Sequence, residues 1–188
     1  MEKQMVENSN NTVAMNAYRN ACLIAMLHPL QLSINSMKAI VEELQDQNKV
    51  HEAGICSAFL GYMVGVHSFA IETRSYIFYS DKALPPEIST IDLIGGQINR
   101  CSTMQKAYVP HPKQGITVNY EQIRHKLEAL KDLLKIEQPD RTAILNVIFE
   151  LIQVTVQAYN QLMNDLSLKP KNWWITEEEV TESVSDKQ

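Results

Sequence analysis

Nineteen consecutive residues, Ala53 to Ile71 (AGICSAFLGYMVGVHSFAI), contain no Asp, Glu, Lys or Arg. A stretch of this kind has three homes: a bilayer span, a lipid-facing surface, or the inside of a helical bundle. About 20 apolar residues are needed to cross a bilayer, so the length alone is almost sufficient. The composition argues the other way. Cys56, Ser57, Tyr62, His67 and Ser68 dilute the run, and Glu52 and Glu72 close its ends. Gly54, Ala58, Gly61 and Gly65 recur at spacings 4, 3, 4 and make one smooth face against which a second helix can pack closely. A helix that is apolar on nearly every side is buried or spanning, and these features favour burial. A membrane protein anchored through 53–71 is the alternative.

A second stretch resembles the first. Between Thr142 and Asn164 the only charged residue is Glu150. One row, Leu145, Ile148, Ile152, Thr155, Tyr159, Leu162 and Leu166, alternates spacings of 3 and 4, and Ile144, Val147, Leu151, Val154 and Ala158 lie beside it. That is wider than a two-stranded seam needs. The remaining face is Asn146, Glu150, Gln153, Gln157, Asn160 and Asn164, polar but almost without ions. A solvated helix face ordinarily carries Lys and Glu. An amide row instead suits partial burial, where hydrogen bonds form but a charge costs too much. It therefore lies in a polar groove of its own bundle or at an interface with a partner. The uncharged stretch 53–71 is its expected neighbour, with the better-charged helices packed around the pair.

The rest of the 188-residue chain supports an all-α, single-domain bundle of five or six helices with these two as its charge-poor centre. Six glycines and seven prolines are too few for a fold built on tight turns. Residues 1–11 are polar and expected to be disordered, and Asn11 or Thr12 can cap a first helix. Val13, Ala17, Ala21, Ile24 and Leu27 form its apolar stripe, and Pro29 ends or kinks it. Leu30, Ile34, Met37, Val41 and Leu44 resume the pattern, and 46–49 reads as a turn. A helix over 50–80, a proline break at 81–86 and a helix over 87–108 follow, with a kink or close crossing expected at Gly95-Gly96. Loop 109–119 leads to Asn119, which caps a helix over 120–136 with the stripe Ile123, Leu127, Leu130 and Leu134. Pro139 and Asp140 open the last helix, which Pro170 stops near 168. The domain is expected to occupy 12–176 and an acidic disordered tail 177–188.

Chemistry-bearing residues are scattered. Net charge is −5, which disfavours nonspecific nucleic-acid binding. The cations Arg100, Lys106, Lys113, Arg124 and Lys126, with His111, gather only loosely around loop 109–119. Cys22, Cys56 and Cys101 stand far apart, so no disulfide framework or zinc cluster is indicated and a reducing cytoplasm suits them. The polar N-terminus is not a signal peptide. No cofactor is implied. His67, Glu72 and Glu150 are the polar groups set among apolar residues, and a metal-binding helical-bundle enzyme would draw its ligands from them. Trp173 and Trp174 follow the last helix. Adjacent tryptophans cannot easily both face one core, so one is expected to pack back on the bundle and the other to stay partly exposed, where it contacts a partner or only packs the tail. The reading that follows is a non-enzymatic protein–protein interaction or assembly module, an adaptor or self-associating subunit. Its partner or second copy would meet Trp173, Trp174, Asn146, Gln153, Gln157 and Asn160.

Overall fold

The computed structural model describes residues 2–79, 88–108, 115–136 and 140–171. Expectations for the break at 81–86, for Trp173 and Trp174 and for the tail 177–188 fall outside them. Five helices and no strand lie among the described residues: α1 (Glu2–Asp46), α2 (Val50–Tyr79), α3 (Ile88–Tyr108), α4 (Tyr120–Leu134) and α5 (Arg141–Asp165).

Most boundaries have a local cause in the sequence. The Asn119 side chain accepts from the Gln122 amide at 3.0 Å and starts α4. Asp140 accepts from Thr142 at 2.8 Å and starts α5. Both satisfy a backbone donor that the first helical turn leaves unpaired. α1 ends with Asn48 at φ 56°, and the Lys49 amide donates back to the Leu44 carbonyl at 2.9 Å. α5 ends the same way, with Ser167 at φ 53° and the Leu168 amide donating to Met163 at 2.8 Å. A left-handed residue with this return bond is the usual helix stop. It ends α5 ahead of Pro170, which is therefore not the terminator.

α1 departs from expectation in three ways. It begins at Glu2, inside the polar stretch expected to be disordered, because a helix held further along extends one hydrogen bond at a time. It also passes through Pro29. Pro29 and Ala25, whose carbonyl loses its partner, both face solvent, where water can replace the missing bond. The Ser33 hydroxyl donates to the Pro29 carbonyl in the next turn at 2.9 Å. Third, the buried stripe of the first half is not Val13, Ala17, Ala21 and Ile24. Those face outward, and Leu23, Leu27 and Leu30 carry the core contact.

The helices form three layers. α2 and α5 touch each other in the middle, α1 packs on both from one side, and α3 and α4 pack together on the other, α3 against α2 and α4 against α5. The two charge-poor helices are thus the central pair. Their mutual contact is the slightest of the helix pairings, however, and it is α3 that covers the small-residue face of α2. A methyl group at Gly65 would collide with the side-chain amide of Gln97, and one at Gly61 with the guanidinium of Arg100. Arg100 also donates to the Ala58 carbonyl at 3.4 Å. Gly95-Gly96 does not interrupt α3. Gly96 has open space beside it, and Gly95 lies under the Lys131 ammonium.

Buried hydroxyls fasten the layers. Tyr62 of α2 and Thr155 of α5 share a hydrogen bond of 2.7 Å, and Thr155 also donates to the Leu151 carbonyl. Tyr159 of α5 donates to Ser36 of α1 at 2.8 Å, and the Lys171 amide donates to the same oxygen at 2.6 Å. The segment after α5 therefore lies back along α1, where the Lys171 ammonium meets the Glu43 carboxylate and holds it below the usual range. Before α4, Ile116 and Val118 point into the core while Thr117 points out. The Thr117 amide donates to Asp165 at 2.6 Å, which pins this extended piece to the end of α5.

Candidate interaction surface

The face of α5 opposite its buried stripe is the surface that the fold leaves open. Asn146, Glu150, Gln153, Gln157, Asn160 and Asn164 are all exposed. Their spacings of 4, 3, 4, 3 and 4 align them in one row about 27 Å long at 1.5 Å per residue. No part of the bundle covers them, so the expectation that the row sits in a groove of its own bundle is corrected. The single carboxylate, Glu150, is matched by the Lys126 ammonium of α4. The row thus presents amides and no unbalanced ion.

Towards its C-terminal half the row borders a groove of about 200 Å³ between α5 and the start of α4. Val118, Ile123, Val154 and Ala158 form its apolar floor, and Asn119, Gln122, Gln157 and Gln161 stand around it with Thr117. Gln161 is held in place, donating to Thr117 Oγ1 at 2.7 Å and to Asp165 Oδ1 at 2.8 Å. Gln157 is exposed at the rim. A carboxamide offers both a donor pair and an acceptor. Such a rim meets peptide groups or other amides without asking for a charge, and the aliphatic floor adds area that water leaves on contact.

The other candidate residues are not brought together. His67 is half-buried on α2, and burial pulls its imidazole below the usual range. Glu72 accepts from the Thr90 hydroxyl of α3 at 2.6 Å. Glu150 faces solvent beside α4. Glu72 and Glu150 turn to different partners, Thr90 and Lys126, and no group of three His, Cys, Asp or Glu with metal-holding geometry occurs among the described residues. The metal site built on His67, Glu72 and Glu150 is therefore set aside.

The cysteines are unpaired. Burial pushes the Cys56 and Cys101 thiols up to about 12, which suppresses the reactive thiolate at neutral pH. Two cations of the loose basic patch are neutralised by acids, while His111 and Lys113 lie outside the described residues. Arg124 pairs with Glu128 at 2.7 Å, Lys126 with Glu150, and Arg100 lies over Gly61. A second cavity, of about 280 Å³, opens between α3 and α4 beside Cys101, Gln105, Lys106 and Tyr120. Gln105 Oε1 and the Tyr120 hydroxyl are buried without partners, but both are enclosed by protein atoms and do not reach the open volume.

α2 and α5 are each long and apolar enough to cross a membrane, and about half of each apolar window is buried in the bundle. For α2, packing against α1, α3 and α5 covers half of that window, and Gly54, Ser57, Val64 and Ile71 stay exposed.

The outer face of α1 over Val13–Ala25 was missed in the sequence. Its signal was there: between Val13 and Met37 the only charged residue is Arg19. Periodicity marked Val13, Ala17, Ala21 and Ile24 as an apolar stripe, and the structure leaves that stripe uncovered. Compared with protein-family models, with curated proteins and with solved structures, the chain matches none.

Proposed function

We propose that this chain is a non-enzymatic interaction module, an adaptor or self-associating subunit, that meets protein partners through helix faces without net charge. The observation that carries the reading is the exposed amide row of α5, which runs beside an apolar-floored groove and whose one ion is already balanced. Fully solvated helix faces ordinarily hold ions, and a row of amides has the character of a surface that is covered part of the time. Burying amides against matching amides or peptide groups is far cheaper than burying ions.

The test is affinity capture from extracts of the source cells with the full chain and with a Gln153→Glu/Gln157→Glu variant. These side chains are exposed, so the variant is expected to melt like the parent. Partner recovered with the parent and lost with the variant supports the reading. Equal recovery with both, or none with the parent, refutes it.

A further inference from the structure

α1 has 45 residues and its antiparallel neighbour α2 has 30, so α1 outruns α2 by about 22 Å. The ties nearest its free end are Arg74 of α2 to Asn20 at 2.7 Å and Arg19 to Thr142 of α5 at 3.3 Å. Before them every residue from Val13 to Tyr18 is exposed, whichever way it points. Val13 is 66% exposed, Met15 51%, Tyr18 68% and Ile24 48%. A helix this short, standing beyond its bundle, gains little from hydrogen bonds alone and is marginal in water.

The outward row continues past the overhang. Ala14, Ala17, Ala21, Ile24 and His28 are exposed at spacings 3, 4, 3 and 4, with Tyr18 and Ala25 beside them. This is the periodicity of a helix–helix seam, and small residues along it let a second helix approach closely. No charged side chain lies in the row, and Arg19 points to the other side, towards α5.

We propose that this face is the contact of a two-fold dimer with a second copy of the chain, the two α1 helices crossing antiparallel at Ala21. The proposal rests on the association reading above and names its partner. Three features favour a second copy. A face without ions meets itself without like-charge repulsion. The row is matched about Ala21 at its centre: Ala17 falls opposite Ala25 and Tyr18 opposite Ile24, so small meets small and large meets large beside the axis, while further out Ala14 leaves space for His28, in the residue-to-residue reciprocity of an isologous contact. Each bundle also lies on the far side of its own α1, so among the described residues the row at 14–28 stands clear of the other helices.

The register gives a test specific to it, because Ala21 meets Ala21. In sedimentation of the full chain across a hundredfold concentration range, the parent is expected to dimerise. Ala21→Glu and Ala21→Lys, each placing like charges on the axis, are expected to weaken the dimer at least about tenfold. An equimolar mixture of the two variants is expected to recover it. Tyr18→Gln, on the flank, weakens it without charge. A parent that stays monomeric overturns the proposal, and so does a dimer that Ala21→Glu leaves intact or a mixture that does not recover. If the dimer is broken by Gln157→Glu instead, the contact belongs to α5; the proposal fails and the association reading stands. Sedimentation of the parent, but not of Ala21→Glu, with phosphatidylcholine vesicles assigns the face to lipid and also overturns it.

Discussion

α2 and α5 lack charge for opposite reasons. On α2 the uncharged face holds glycines, and α3 lies so close over Gly61 and Gly65 that a methyl group does not fit without movement. On α5 the outer face holds amides around one paired carboxylate, and among the described residues nothing covers it. Absence of ions says only that a face is not built for permanent solvation. The size and polarity of what replaces the ions separates a seam already closed from one left open. Glycine leaves room for a neighbour's long side chains, here Gln97 and Arg100 of α3, whereas the amides of α5 themselves project into solvent.

The contrast is broken most directly at Gly65. Gly65→Leu forces a branched side chain onto Gln97, which is 5% exposed and has no room to swing into water. A loss of about 3 kcal/mol is expected, at the upper end for overpacked cores, read as a lower denaturant midpoint. A stability equal to the parent's would mean that α3 does not close this seam. Next comes the tie between the two helices. Thr155→Val strands the fully buried Tyr62 hydroxyl and is expected to cost about 2 kcal/mol. Tyr62→Phe leaves Thr155 with its bond to Leu151 and is expected to cost nearer 1 kcal/mol. Equal costs in chemical denaturation would place the value of this bond elsewhere.

Smaller again is the open face itself. Gln153→Ala with Gln157→Ala is expected to change stability by no more than about 0.5 kcal/mol, as for ordinary exposed sites. A larger loss would show the row to be part of the bundle's own structure. Acid sharpens the contrast from the buried side. Burial keeps His67 neutral in the fold and lowers its pKa. Its contribution is complete above the unfolded value near 6.5 and is lost as pH falls through the lower folded value, because the unfolded chain takes the proton first. The midpoint of unfolding is therefore expected to drop below about pH 6.5, and to drop less in His67→Gln.

Much of the architecture was legible. The α4 stripe Ile123, Leu127, Leu130 and Leu134 is buried as its spacing predicts. Asn119 and Asp140 cap where their side chains allow, and the turn at 46–49 forms with Asn48 in the left-handed conformation. Pro29 left two outcomes open, a stop or one long helix, and the second holds; the choice turns on whether water reaches the freed carbonyl, which is a tertiary fact. The glycine face of α2 was correctly read as a packing face, but its occupant was not, since spacing describes one surface and never the other. The same limit explains the α1 stripe. Val13, Ala17, Ala21 and Ile24 have the periodicity of a core face, and no feature of a single strand of text says that α2 and α5 stop short of covering it. The amide row was visible as a line, and only the layered packing showed that it looks outward. His67, Glu72 and Glu150 stand out as polar groups among apolar ones, yet Glu72 and Glu150 have partners on other helices that the sequence does not name, and His67 is only half-buried.

Ser36 holds the Tyr159 hydroxyl and the Lys171 amide together on the flank of α1. With Lys171 also clasping Glu43, the last described residue is tethered towards the C-terminal end of α1, away from its exposed stretch at Val13–Tyr18. The described residues are polarised along the length of α1, with the exposed stretch Val13–Tyr18 towards one pole and Lys171 near the other. A bulky group fused after Lys171 starts out far from that stretch, so the chain can be tethered there to a surface while its opposite pole stays free to meet another molecule.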